Sequence, residues 1–146
     1  MKKRTAAILC LLLIAFALYA GTRYALNPLR FVSTHFQHNV SADRTAQAEA
    51  INELFAAEGD RLRTVLAGDM NAKPNEEPIR ILLERWTNAA NDPPAPTAPA
   101  VNPTSRIDYI FYRRRADFRV REARVIAEEM ASDHCPVFAV LELVDE

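Results

Sequence analysis

Four short stretches carry residue types suited to acid–base or metal chemistry: Thr34-His35, Gly68-Asp69-Met70-Asn71, Arg106-Ile107-Asp108-Tyr109 and Ser132-Asp133-His134. In Asp69 and Asn71 an acceptor carboxylate stands two residues from an amide. At a strand end that spacing points both side chains the same way, where they hold and polarise one water. The same pattern serves a helix cap or an Asx turn. Asp133 beside His134 has the composition of a carboxylate–imidazole relay, in which the acid fixes the tautomer of a base. Adjacent residues rarely bond side chain to side chain, so a carboxylate from elsewhere is the better orienting group. Asp108 is the natural candidate, because it interrupts an apolar stretch where a carboxylate is costly unless paired. Arg106 and the nearby arginines are its alternative partners. His35 ends the first apolar stretch, where a lone histidine is more often a satisfied structural group than a ligand, and His38 reads as solvated.

These groups need elements that bring them to one place. Leu29–Phe36 reads as a strand, and Ser41 or Asp43 is placed to cap a helix over Arg44–Glu58, with Ala48, Ile51, Leu54 and Phe55 as its apolar stripe and Gly59 as its stop. Leu62–Ala67 is a second strand. Pro78 suits the first turn of a helix over Ile79–Trp86. Residues 91–103 hold five prolines and read as a long surface loop. Arg106–Arg113 and Phe118–Ile126 read as strands joined by a basic hairpin tip, Arg113-Arg114-Arg115. Val137–Val144 is apolar enough for a strand buried on both faces. Strand ends share a rim, so the four chemical stretches can converge.

In order and content, these stretches resemble the endonuclease/exonuclease/phosphatase superfamily of DNase-I-like metal-dependent phosphoesterases. The resemblance runs from about Leu29 to Leu143 through Thr34-His35, Arg44 with Gln47-Ala48, Gly68-Asp69-Met70-Asn71-Ala72, Arg106-Ile107-Asp108-Tyr109-Ile110-Phe111 and Ser132-Asp133-His134-Cys135-Pro136. It covers the C-terminal half of that family. It implies that His134 is a general base or transition-state stabiliser oriented by Asp108. It further implies that Asp69 and Asn71 position the attacking water and a phosphoryl oxygen, that His35 contacts the scissile phosphate, and that Asp133 with Asp69 holds the divalent cation. Hard oxygen ligands suit Mg²⁺ or Mn²⁺ rather than zinc. The implied substrate is a phosphate ester: nucleic acid, inositol phosphate or phospholipid headgroup.

The resemblance also implies an α/β (α+β) fold that is half of a four-layer sandwich, with one mixed, mostly antiparallel sheet flanked by helices. The family's first-strand Asn and metal-binding Glu belong to its N-terminal half. Glu49, Glu53 and Glu58 stand after the first strand, where they do not correspond to that Glu. A two-sheet sandwich takes roughly 200–250 residues, about twice the stretch 29–146, which is read as a truncated domain. The expectation is therefore an impaired phosphoesterase. Alternatives are a non-catalytic binding module that pairs through its exposed sheet face, by self-association or with a second chain, and the product of an internally deleted gene.

Composition sets the remaining bounds. The 146 residues suffice for a single core, and 18 basic against 19 acidic residues, with 49% hydrophobic, argue against disorder. Residues 1–20 read as a signal peptide or an N-terminal membrane anchor: Lys2, Lys3 and Arg4 precede an uncharged run, Ala6–Ala20, and Ala15-Phe16-Ala17 fits cleavage. That implies an exported domain, periplasmic or secreted, or one anchored with the domain outside the cytoplasm and no stable membrane partner beyond this segment. Removing residues 1–17 changes the net charge from −1 to −1 − 3 = −4, which disfavours nonspecific nucleic-acid binding. Cys135 would then be the sole cysteine, which excludes an internal disulfide and a Cys-x-x-Cys zinc site.

Overall fold

The computed structural model describes residues 28–90 and 95–144. The export signal or anchor and Cys10 lie outside the described residues. Among the described residues, six strands and two α-helices follow in the order β1 (Leu29–His35), α1 (Ser41–Phe55), β2 (Arg63–Asp69), α2 (Glu77–Leu83), β3 (Thr87–Asn88), β4 (Asp108–Arg113), β5 (Phe118–Val125) and β6 (Val137–Leu143). The first four strands form one mixed sheet, β1-β2-β4-β3, and β5 with β6 forms a second, two-stranded sheet. Within the first sheet β1 and β2 are parallel, while β4 runs antiparallel to both β2 and β3. The α/β class with a mixed, mostly antiparallel sheet is as expected; the separate small sheet is an addition. The cause is that both edges of β4 are occupied, by β2 and by β3, so β5 finds its ladder partner in β6.

For the same reason the arginines after β4 do not cap a hairpin. Arg113 donates to the Phe55 carbonyl at 2.6 Å and pairs with Asp60 at 3.1 Å, Arg30 reaches the same carboxylate at 2.9 Å, and Arg114 pairs with Asp117 at 3.0 Å. They tie the chain end of β4 to the loop before β2. The last strand also differs from expectation: β6 alternates half-buried and exposed residues, with Phe138 and Val140 exposed, because only one of its faces packs on the rest of the protein.

Strand alternation sorts the core into two layers. Leu66, Tyr109 and Phe111 face the helices and pack with Val32, Phe36, Ile51, Ile79, Leu82 and Trp86. Val65, Ile110 and Tyr112 face the other way and pack with Phe118, Val120, Ala139 and Leu141. Helix α1 begins at Ser41 without a side-chain cap and buries Ala48, Ile51 and Asn52, whereas Leu54 lies off the buried face and is exposed. Asn52 is the polar residue of that face. Its amide donates to the Ile81 carbonyl at 2.7 Å and its oxygen accepts from Trp86 Nε1 at 2.8 Å, which fastens α1 to the α2 turn. Pro78 does occupy the first turn of α2.

Candidate active site

Register places three of the chemical residues side by side. His35 at the end of β1 is level with Asp69 at the end of β2, and Asp69 is level with Asp108 at the start of β4. Two parallel strand ends and one antiparallel strand start therefore meet at one rim. The strand after Asp69 continues only in backbone, with the Met70 N–H donating to the Ile107 carbonyl at 2.8 Å and the Phe36 N–H to the Asp69 carbonyl at 2.9 Å. Gly68 lets β1 and β2 approach here: it has φ of +154°, and a Cβ built on it would lie 1.8 Å from the Thr34 carbonyl oxygen.

His134 arrives from the loop before β6. Its Nδ1 lies 3.0 and 3.2 Å from the two Asp108 oxygens and 4.0 Å from Asp69 Oδ2. A carboxylate only accepts, so Nδ1–H donates and Asp108 selects that tautomer. His35 Nε2 stands 3.4 Å from Asp69 Oδ2 and is largely exposed. Arg106 does not pair with Asp108; it is buried beneath the strand, its guanidinium 5.1 Å from the Tyr109 ring centroid. The Tyr109 hydroxyl lies 2.9 Å from the Ala72 carbonyl oxygen, fixing the loop after Asp69 to β4, and burial pushes its pKa up.

Asn71 and Asp133 are placed differently from their sequence neighbours. Strand periodicity does not extend to Asn71, which follows the end of β2 with φ of +45°. Its backbone N–H closes an Asx turn on Asp69 Oδ1 at 2.7 Å, and its side-chain amide donates to the Phe36 carbonyl at 2.9 Å. Asp133 is exposed on its loop, where its carboxylate accepts from the Ser132 hydroxyl at 3.3 Å. Among the described residues, the group able to hold a metal ion is Asp69, Asp108 and His134, whose donor atoms lie within 4.8 Å of one another. Two carboxylates and an imidazole fit a hard divalent cation that keeps waters or takes substrate oxygens as its remaining ligands.

The electrostatics follow from this crowding. Asp69 has its pKa raised, first by burial and also by the Asp108 charge, against the lowering bond from the Asn71 N–H. For His134, burial disfavours the imidazolium, but the bond to Asp108 and the charges of Asp108, Asp69 and Asp133 outweigh it, so its pKa is raised. The rim thus holds a carboxylate and an imidazole that each retain a proton to higher pH than usual, as in sites that move protons.

Beside the rim the described residues do not fully cover the face of the first sheet. A groove of about 630 Å³ runs from Asp108 and His134 along Phe31, Val65, Ala67, Ile110 and Leu141. Phe31 is 65% exposed and Leu29 51%. This is the uncovered apolar sheet face expected from a half-sandwich.

The proline-rich segment, expected as a surface loop, is instead a structural strap from residue 95 onward. Thr97, Ala98 and Ala100 are buried, and the Ala98 N–H and C=O bond the backbone of Ser105 and Thr104. Prolines donate nothing, so the backbone donors of this tract are its other residues, among them Thr97, Ala98 and Ala100. Thr97, not singled out among the candidate residues of the sequence, is in contact with the rim: its Oγ1 accepts from the Ile107 and Asp108 N–H groups. A hydroxyl residue isolated among prolines and alanines was the signal.

Together these features define an α/β protein with an acid–base cluster at the rim of a mixed sheet. The profile of the Endonuclease/Exonuclease/phosphatase family matches residues 6–134, and the chain belongs to that family. Among solved structures it is similar to a conserved protein of unknown function from Enterococcus faecalis, with 22% identity and a TM-score of 0.66, covering 78% of this chain and 50% of that one. It is also similar to a mannosyl-6-phosphatase from Bacteroides thetaiotaomicron, with 22% identity and a TM-score of 0.63 over 77% and 51% of the two chains. The human Nocturnin catalytic domain with bound sulfate matches with 20% identity and a TM-score of 0.51 over 74% and 46%. The chain thus spans about half the length of the structures it matches. No curated protein matches it.

Proposed function

We propose that the chain carries the acid–base half of a divalent-metal-dependent phosphoesterase site. The observation that carries this is the Asp108–His134 pair at 3.0 Å with Asp69 adjoining it. Asp108 holds the His134 proton on Nδ1, which leaves Nε2 to take a proton from a water attacking phosphorus. Asp69 is held at the rim by the Asn71 N–H on Oδ1, and its Oδ2, between the imidazoles of His35 and His134, is the oxygen that would meet the cation or the water. His35, exposed beside Asp69, is placed to meet a phosphate oxygen. Mg²⁺ or Mn²⁺, when bound by Asp69, neutralises charge on the phosphoryl oxygens; Asp133 adds negative charge to the site from outside the cluster. The mannosyl-6-phosphatase among the similar structures supports phosphate-ester hydrolysis as the reaction class. Export by residues 1–20, through their basic start and apolar run, is part of the proposal.

With His134 as the base, the cluster of described residues leaves the cation two carboxylates, Asp69 and Asp108, so this chain alone is expected to turn over slowly. The test is hydrolysis of p-nitrophenyl phosphate and bis-p-nitrophenyl phosphate with Mg²⁺ or Mn²⁺. Turnover that EDTA abolishes, and that His134→Ala lowers by about 10²–10⁴, supports the reading. Turnover unaffected by His134→Ala refutes the role of His134.

The exposed Phe31 groove favours a second reading, a module that binds a second chain or another copy of itself across the sheet face. No hydrolysis with either cation, together with concentration-dependent association in sedimentation, would establish it over catalysis.

A further inference from the structure

We propose that Thr97 is the positioning residue that sets the Asp108–His134 pair, joining the two segments that carry it through one buried side chain and its own carbonyl. The 3.0 Å contact is made between residues 26 positions apart in the chain, one at the start of a strand and one in a loop. The β2–β4 ladder holds the Ile107 carbonyl, through the Met70 N–H, but the Ile107 and Asp108 N–H groups take their partner from outside β2. His134 precedes β6 by three residues.

Thr97 supplies what both lack. Its Oγ1 accepts from the Ile107 N–H at 3.1 Å and from the Asp108 N–H at 3.2 Å. Its carbonyl accepts from the Cys135 N–H at 2.7 Å, the residue next to His134. Its own N–H donates to the Ser105 carbonyl at 2.8 Å, so the residue is held from both sides of the strap. The link is reinforced three residues on, where the Ala100 N–H donates to the Asp133 carbonyl at 2.6 Å and Cys135 Sγ lies 3.6 Å from the Ala100 oxygen. Thr97 is fully buried, so no water can replace Oγ1 for the two strand amides.

The residue type fits the task. A hydroxyl oxygen has two lone pairs and can accept from two amides at once, whereas valine has the same shape and accepts none. The threonine methyl restricts rotation about χ1 and keeps Oγ1 aimed. Serine retains the acceptor with less restriction. The inference rests on reading Asp108–His134 as the working pair of the site, but its test needs no turnover.

The experiment compares the full chain with Thr97→Val and Thr97→Ser by proton NMR, following the downfield His134 Nδ1–H resonance that a hydrogen bond to Asp108 produces. The expected result is a resonance present in the parent chain and in Thr97→Ser and lost in Thr97→Val, with circular dichroism showing each variant folded. A resonance unchanged in Thr97→Val, or lost equally in Thr97→Ser, overturns the proposal. So does its absence from the parent chain. Should Thr97→Val not fold, native-state hydrogen exchange on the parent chain decides. The Ile107, Asp108 and Cys135 amides are expected to exchange through one shared opening, with protection factors within about threefold, whereas protections differing by more than about tenfold overturn it. A resonance pattern as predicted with no phosphate-ester hydrolysis would sink the proposed activity and leave the role of Thr97 standing.

Discussion

Replacing Gly68 by alanine tests whether the glycine before Asp69 serves strand packing at the rim. Its φ of +154° is one that side-chain-bearing residues rarely adopt, and the added Cβ would lie 1.8 Å from the Thr34 oxygen and 2.8 Å from the Thr34 carbonyl carbon. A carbon–oxygen contact needs about 3.3 Å, so β1 and β2 must part locally by about 1.5 Å. Ladder bonds near 2.9 Å do not survive such a shift. Two lost bonds cost about 1–3 kcal/mol, and the backbone strain about 1–3 kcal/mol more. Gly68→Ala is therefore expected to lose about 2–6 kcal/mol of stability. Urea denaturation followed by the fluorescence of the single tryptophan, buried Trp86, measures this directly. The same shift separates His35 from Asp69, now 3.4 Å apart. A loss below about 1 kcal/mol, within the range of an ordinary substitution, would refute the packing argument and return the glycine to the chemistry of the site.

Further expectations follow from other parts of the structure. Asn52→Ala removes both partners that join α1 to Trp86 and the Ile81 carbonyl, leaving buried polar groups unpaired; about 2–4 kcal/mol should be lost in the same denaturation assay. His134 has a raised pKa, so the stability it contributes is complete below about pH 6.5 and is lost as the pH rises through its folded pKa. Asp108→Asn removes the charge that raises it and leaves at most a neutral acceptor, so the pH dependence of unfolding between pH 6 and 9 should flatten; an unchanged profile would show that the Asp108 charge is not the cause. Phe31→Ser should change stability by no more than about 0.5 kcal/mol, because the ring is mostly exposed. The same variant should lower the binding of an apolar dye to the groove, and equal dye binding would place the uncovered apolar surface elsewhere.

Much of the fold was legible because strand sequences with few breakers have few alternatives. Leu29–His35 and Asp108–Arg113 lie within stretches that read as strands, Arg63–Asp69 runs two residues past the stretch Leu62–Ala67, and the chemical residues fall at the strand ends. What the sequence did not carry was partner choice. Arg113-Arg114-Arg115 between two apolar runs looks like a charged hairpin turn, and only the placement of β3 beside β4 shows that the edge was already taken. Helix α1 differs from the sequence expectation at Leu54 for a related reason. A threefold or fourfold spacing admits several stripes, and the chosen one depends on whether Asn52 finds Trp86 and Ile81 to bond.

The candidate site divides along the same line. Asp108 and His134 could be paired on chemical grounds, since a carboxylate in an apolar strand demands a partner and an adjacent Asp133 cannot orient its own neighbour. The means of pairing them could not be read, because it lies in backbone bonds from a segment whose composition argues against regular structure. Prolines keep that tract out of a regular ladder or helix, yet the N–H groups of Thr97, Ala98 and Ala100 all find carbonyl partners. Prolines fix φ at several positions of the tract, which leaves its buried backbone fewer conformations in which those bonds can form. In this chain the resulting conformation is what brings the loop of His134 to the first residue of β4. The proline-rich composition is thus a constraint that fixes the strap, and the position of the imidazole follows from it.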